Sequence, residues 1–324
     1  MTETGPVDTA WLREQILQAL ERQGFTLVVD ARGRPRLLTP HDKTGLQAVH
    51  AAAREAQLRR HARFLFRFWP RARQHLADGR EVIPESIEPV LEPADDGEAA
   101  DLFRFFRLVY WSLPYFKGYG RRLRFLVRDA ATGKLIGLLG MQSPPIDLGC
   151  RDRALGLTRP DKVETVNRSL DVYTLGALPP YNLLLGGKLV AMLAVSAEVR
   201  EAYRRRYEGA VTWLQGRRLP ADLLFLTTTS AYGRSSIYNR LTFRGRPVAE
   251  PLGFTARTGT FHLPDELFPH IRAFLAQHGL DPRTGFGYGP RRRLQFAVLA
   301  MRRLGLDPEL IVHGIPRQVF LFRL

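Results

Sequence analysis

The hydrophobic pattern opens with a helical repeat. In residues 9–23, TAWLREQILQALERQ, apolar side chains recur at Leu12, Ile16, Leu17 and Leu20, and Gly24 follows as a stop, which predicts an amphipathic helix. The next run, FTLVVDARGRPRLL, is two short β-favouring segments around Arg32-Gly33 and predicts a hairpin. Residues 44–77 return to helix-favouring composition, with Pro70 placed to kink or end the helix. Phe64, Phe66, Phe68 and Trp69 are interleaved with arginines there; the aromatics are assigned to the buried face, and basic plus aromatic character is compatible with nucleic-acid contact. Residues 81–101 carry eight acids, three prolines and no Lys or Arg, so they read as an extended linker.

Beyond that stretch the period changes. LRFLVRDAATGKLIGLLGM predicts two strands turning at Thr132-Gly133, and LDVYTLGAL and DLLFLTTT predict two more. Between the last two lie a loop, PPYNLLLGG, and a long helix, KLVAMLAVSAEVREAYRRRY, with Leu189, Met192, Leu193, Val199 and Tyr203 on its apolar face. FPHIRAFLAQHG and RRRLQFAVLAMRRLG read as helices and RQVFLFRL as a final strand. The expected fold class is α/β (α+β), with a mixed sheet in residues 102–262. A basic, mainly helical region (1–80), the acidic linker (81–101) and a helical or mixed extension (263–324) surround it.

Composition narrows the function. A chain of 324 residues, 45% hydrophobic, can bury a substantial core. No run approaches the roughly 18–20 apolar residues that span a bilayer, and the N-terminus lacks signal architecture, so a cytoplasmic protein with no membrane partner is expected. The single cysteine, Cys150, excludes an internal disulfide framework, and the eight scattered histidines form no metal-ligand motif.

Charge changes the picture most. Forty-eight basic residues against thirty-two acids give +16, and only five of the basic residues are lysine. Arginine abundance by itself fits coding composition and a solvated surface. An excess of this size, however, costs self-repulsion that an acidic partner relieves, and the guanidinium fork suits phosphate. The arginines gather in residues 54–73, Lys117–Arg128, Arg200–Arg206 and Arg291–Arg303. From these runs Arg59, Arg60, Arg63, Arg67, Arg121, Arg122, Arg204, Arg205, Arg291, Arg292 and Arg293 are the candidate nucleic-acid contacts.

Two loops are candidates for ligand chemistry. In the first, Asn182, Gly186, Gly187 and Lys188 open a helix whose N–H groups favour phosphate; the alternative is that the glycines permit close strand–helix packing. In the second, TTTSAYGRSSIYNR, Arg234, Ser236 and Asn239 can clamp and orient a ligand, with Ser235 and Tyr238 as candidate catalytic hydroxyls; the alternative is helix capping. His262 is a candidate acid or base, or else a satisfied buried histidine, and Arg151 with Asp152 reads as a surface ion-pair set.

The blocks GYGRRLRFLVRDAATGKLIGLLGMQSP, CRDRALG, LGALPPYNLLLGGKLVAML, TTTSAYGRSSIYNRL and GFTARTGTFHLP, in that order, resemble the DruA family of bacterial proteins, named after the Druantia anti-phage system. The resemblance spans roughly residues 81–324 and implies phage defence beside other Druantia components, with no settled chemistry. The strand order also resembles the acyl-CoA-binding N-acetyltransferase fold, which implies a general acid at Tyr238. That fold's Arg/Gln-x-x-Gly-x-Gly/Ala pyrophosphate loop is replaced by YNLLLGGK, so acyl-CoA is not expected with the fold as a matter of course. Three functions follow: a nucleic-acid-binding defence protein, an enzyme for acyl transfer or nucleotide modification, or an adaptor for an acidic protein.

Overall fold

Asp8 starts the first helix. In the computed structural model its carboxylate accepts the N–H groups of Ala10 and Trp11 at 2.8 and 3.5 Å, capping α1 (Thr9–Arg22). The structure describes residues 6–40, 42–115, 118–158, 161–212, 216–255, 260, 262–280 and 290–324. Lys117 lies outside them, as does the side chain of Arg291.

The described residues divide into two units, one drawn from 1–56, 112–114 and 256–316, the other from 57–111, 115–255 and 317–324. In the first unit α1 is followed by the hairpin β1 (Thr26–Val29) and β2 (Pro35–Leu38), with Gly33 at φ 74° in the turn. The helix α2 (Lys43–Ala72) gives its residues up to Ala56 to this unit and the rest to the second; Pro70 lies in its last turn.

The second unit holds a seven-stranded mixed sheet. It begins where a linker was expected: β3 (Pro89–Pro93) pairs with β4, and the acidic run ends inside α3 (Gly97–Tyr110). The prolines misled because an edge strand tolerates them, and the acids are used locally. Glu92 pairs with Arg128, and Asp129 accepts the Glu88 N–H at 3.0 Å. Next come β4 (Arg122–Asp129) and β5 (Leu135–Gln142), which turn at Gly133 as the pattern predicts. The short helices α4 (Gly149–Ala154) and α5 (Asp161–Asn167) lead to β6 (Ser169–Ala177).

The single long helix expected after β6 is two, α6 (Gly186–Leu193) and α7 (Ala197–Tyr207), because Ser196 stops the chain between them and accepts the Val199 N–H as the N-cap of α7. They carry the chain to β7 (Phe225–Thr229), parallel to β6. A two-residue hairpin, β8 (Thr242–Phe243) and β9 (Arg246–Pro247), precedes β10 (Glu250–Phe254). The helices α8 (Leu267–Gln277) and α9 (Pro290–Arg303) return to the first unit, and β11 (Gln318–Arg323) closes the sheet. The strand order is β10-β11-β7-β6-β5-β4-β3, antiparallel except at β6–β7.

Each unit has its own core. Leu12, Ile16 and Leu20 of α1 pack with Ile271 and Phe274 of α8 and Ala300 and Met301 of α9 in the first. In the second, Val190 and Ala191 of α6 and Val199 and Tyr203 of α7 cover one sheet face, and Phe103 and Phe106 of α3 the other. Each such fully buried large side chain contributes about 1.5–3 kcal/mol.

Candidate functional site

Chemistry concentrates at two places in the second unit. The first is the outward face of α2 from Arg59 to Arg71, where helical spacing puts Arg59, Arg63, Phe66 and Arg67 on one side. The inward side explains the division. Phe64 and Phe68 stack at 5.5 Å, Phe64 meets Phe105 of α3 at 6.4 Å, and the Arg104 guanidinium covers Phe64 at 4.4 Å. The aromatics therefore split instead of forming one buried face: Phe68 is 8% exposed and Phe66 85%. Trp69 stacks on Phe105 at 6.1 Å and is still 44% exposed. Arg59, Arg60, Arg63, Arg67 and Arg71 are exposed, and among the described residues no carboxylate pairs with Arg63 or Arg67.

The second place lies on the sheet. Strand register sets Gln142 of β5 opposite Asp171 of β6, and Asp171 opposite Thr227 of β7, so the three side chains share a face. Asp171 accepts the Thr227 hydroxyl at 2.9 Å, and Gln142 accepts the Tyr119 N–H at 3.2 Å. Burial pushes the Asp171 carboxyl up to about 6, against the pull of its bonds to Thr227 and Gln142. Burial, with Asp171 nearby, likewise holds the Tyr119 phenol at about 12. On the same strand Thr174 accepts from the buried Arg107 of α3 at 3.0 Å, and burial lowers that guanidinium to about 10. A carboxyl that titrates near 6 beside an amide and a hydroxyl can take and return a proton near neutral pH.

The residues singled out by sequence fall elsewhere. Gly186 is buried, and a Cβ on it would stand 2.5 Å from the Tyr181 carbonyl oxygen and 2.8 Å from Ala177 Cβ; one on Gly187 would stand 3.2 Å from Ile237. Close packing thus accounts for Gly186. The Lys188 N–H donates to Leu185 at 2.8 Å, and Asn182 is exposed in the preceding 3-10 turn. Lys188 and Arg240 border an apolar groove of about 430 Å3 with Leu185, Leu189, Met192 and Leu241.

In the hydroxyl-rich segment the Ser235 hydroxyl accepts the Tyr238 N–H at 3.3 Å, as a cap does, and Asn239 donates to Gln318 at 2.8 Å. The Tyr238 phenol bonds to Thr228, its ring lies 5.1 Å from that of Phe320, and burial pushes its pKa up to about 12. Arg234 and Ser236 are exposed.

His262 belongs to the first unit, whereas Ser235 and Tyr238 belong to the second. Its Nε2 meets the Leu310 carbonyl at 2.8 Å, and burial lowers it to about 4, so it is neutral near pH 7.

Arg151 and Asp152 are not a surface pair. The Arg151 side chain is fully buried and donates to the Pro145 and Ile146 carbonyls, both at 2.7 Å, and to Asp152 at 2.6 Å, tying down the turn after β5.

Several candidate arginines are engaged within their own unit. Arg121 donates to the Asn167 carbonyl at 2.8 Å and covers the Tyr207 ring at 5.2 Å, while the Arg122 N–H reaches the Tyr207 hydroxyl at 2.6 Å. Arg293 pairs with Asp265 at 2.5 Å and stacks on Phe268 at 3.7 Å, and Arg292 lies over Phe296 at 5.4 Å. Arg204, paired with Glu201 at 3.4 Å, and Arg205 remain exposed. Sequence reasoning missed Asp171; the available signal was one carboxylate inside the apolar strand Ser169–Ala177, but its partners are set by register alone. Among the described residues no group of three His, Cys, Asp or Glu side chains is placed to hold a metal ion, and no helix is long and apolar enough to cross a membrane.

No solved structure matches the chain. A curated protein of Escherichia coli (strain UMEA 4076-1), described as Druantia protein DruA, is 37% identical over 319 residues, covering 97% of this chain and 78% of its own length. The family model described as Druantia protein DruA matches residues 40–324, a span that takes in α2, the sheet and its covering helices, and on both grounds this chain belongs to the DruA family.

Proposed function

We propose that this chain serves anti-phage defence in the cytoplasm, beside other Druantia components, by binding nucleic acid through the basic face of α2. One observation carries the reading: Arg59, Arg60, Arg63 and Arg67 stand exposed along one helix with Phe66 among them. Guanidinium groups at that spacing follow a phosphate backbone, and each phosphate neutralised releases counterions. Reversing Arg59, Arg63 and Arg67 to Glu together is expected to abolish salt-sensitive affinity for DNA or RNA and to remove phage protection. Retained affinity with an unchanged salt slope would overturn the reading.

A second reading, an acetyltransferase-like enzyme, is supported by the strand arrangement. The antiparallel meander β3–β6 is followed by α6, α7 and the parallel strand β7. Acyl-CoA would then lie near Gly186 and Gly187, with Tyr238 as the acid and Asp171 as a base titrating close to neutrality. Full phage protection by a Tyr238→Phe variant in the same assay would set this reading aside.

A further inference from the structure

We infer that the outward face of α2 is a stacking platform for the unpaired bases of a single-stranded nucleic acid. The inference rests on the nucleic-acid reading above and deepens it. Arginines serve duplex and single strand alike, because both present phosphates. Phe66 does not. At 85% exposure, between Arg63 and Arg67, it presents a ring to solvent in the middle of a basic stripe. In a duplex each base is covered by its neighbours in the stack, so a ring on a helix surface reaches a π-face only by prying a base step apart at an unstacking cost; an unpaired base offers one without that cost.

Trp69, one helical turn further on and 44% exposed, stands next to Phe66 at the roughly 5–6 Å spacing of i,i+3 side chains, so two bases of one strand have a ring each. Phe105 backs Trp69 at 6.1 Å and holds it in place. From Leu58 to Ala72 the sequence has no Asp, Glu, Asn, Gln, Ser or Thr, and His61 Nδ1 is taken by Arg104 at 3.2 Å. The side chains of this face therefore offer hydrogen-bond donors and rings, which serve the phosphates and unpaired bases of a single strand of either sugar.

The test is anisotropy of a labelled deoxythymidine 20-mer, a DNA duplex of equal length and a uridine 20-mer, each titrated at several salt concentrations. The parent protein is expected to bind the deoxythymidine and uridine strands more tightly than the duplex. Phe66→Ala should weaken single-strand binding by roughly five- to a hundredfold, as loss of one base stack does. It should leave duplex affinity and salt slope alone, and Phe66→Trp should restore binding. An Arg63→Ala, Arg67→Ala double variant should lower the slope for both DNAs. Unchanged single-strand affinity in Phe66→Ala, or preference for duplex, overturns this inference while leaving the nucleic-acid reading standing. Absence of salt-sensitive binding to all three probes overturns both.

Discussion

The outward face of α2 and the buried interior of the second unit use the same side chain for opposite purposes. On α2, Arg63 and Arg67 are exposed, and among the described residues no carboxylate pairs with either. On the helices beside the sheet, Arg107 of α3 and Arg151 of α4 are almost wholly buried, and they donate to Thr174, to two backbone carbonyls and to Asp152. Counting arginines does not distinguish these uses; the partners do. A guanidinium that has consumed its donors inside the protein is scaffold, and one that keeps them at the surface is available to a ligand.

The largest effect should come from the buried side. Replacing Arg151 by Met strands the Pro145 and Ile146 carbonyls and should cost about 3–5 kcal/mol, read as a lower denaturation midpoint. Arg151→Lys should recover only part, since an ammonium group lacks the planar fork that reaches both carbonyls and Asp152. A midpoint unchanged in Arg151→Met would erase the contrast between the two regions.

Asp171 sharpens it at intermediate size. Folding lifts this carboxyl from the usual 3.8 to about 6, so between those values the folded protein keeps a proton that the unfolded chain has released. Its contribution to stability is thus fully present below about pH 4 and is lost as pH rises through about 6. Asp171→Asn, which keeps an acceptor for Thr227 without the charge, should gain on the parent protein by up to about 3 kcal/mol between pH 4 and pH 8. Stability curves that run parallel across that range would show that the carboxyl is not held in this way.

The smallest effect belongs to the exposed side. Arg63→Ala with Arg67→Ala should change folding stability by no more than about 0.5 kcal/mol while reducing nucleic-acid affinity. Thermal melts that fall together with the affinity would make these arginines scaffold as well.

Much of the architecture was legible in local pattern. The helix at Leu12, Ile16 and Leu20, the turns at Gly33 and Gly133, and the paired strands around Leu123–Gln142 come from neighbours within a few residues, where periodicity and backbone preference act. The acidic run misled because composition describes solvation, whereas β3 is held by pairing with β4 some thirty-six residues away at Glu92 and Arg128.

By itself, then, the sequence determined the first helix and hairpin, the strands β4, β5, β6, β7 and β11, the family and the excess of positive charge, but not β3, α3 or the break between α6 and α7. Tertiary structure alone decided which charges remain at the surface. It turned Phe64 and Phe68 inward and Phe66 outward, spent Arg121 and Arg151 on carbonyls, and brought Gln142, Asp171 and Thr227 together from three strands. The physical reason is that burial and hydrogen-bond partnership are properties of pairs distant in the chain, and a single residue's type carries no record of its partner.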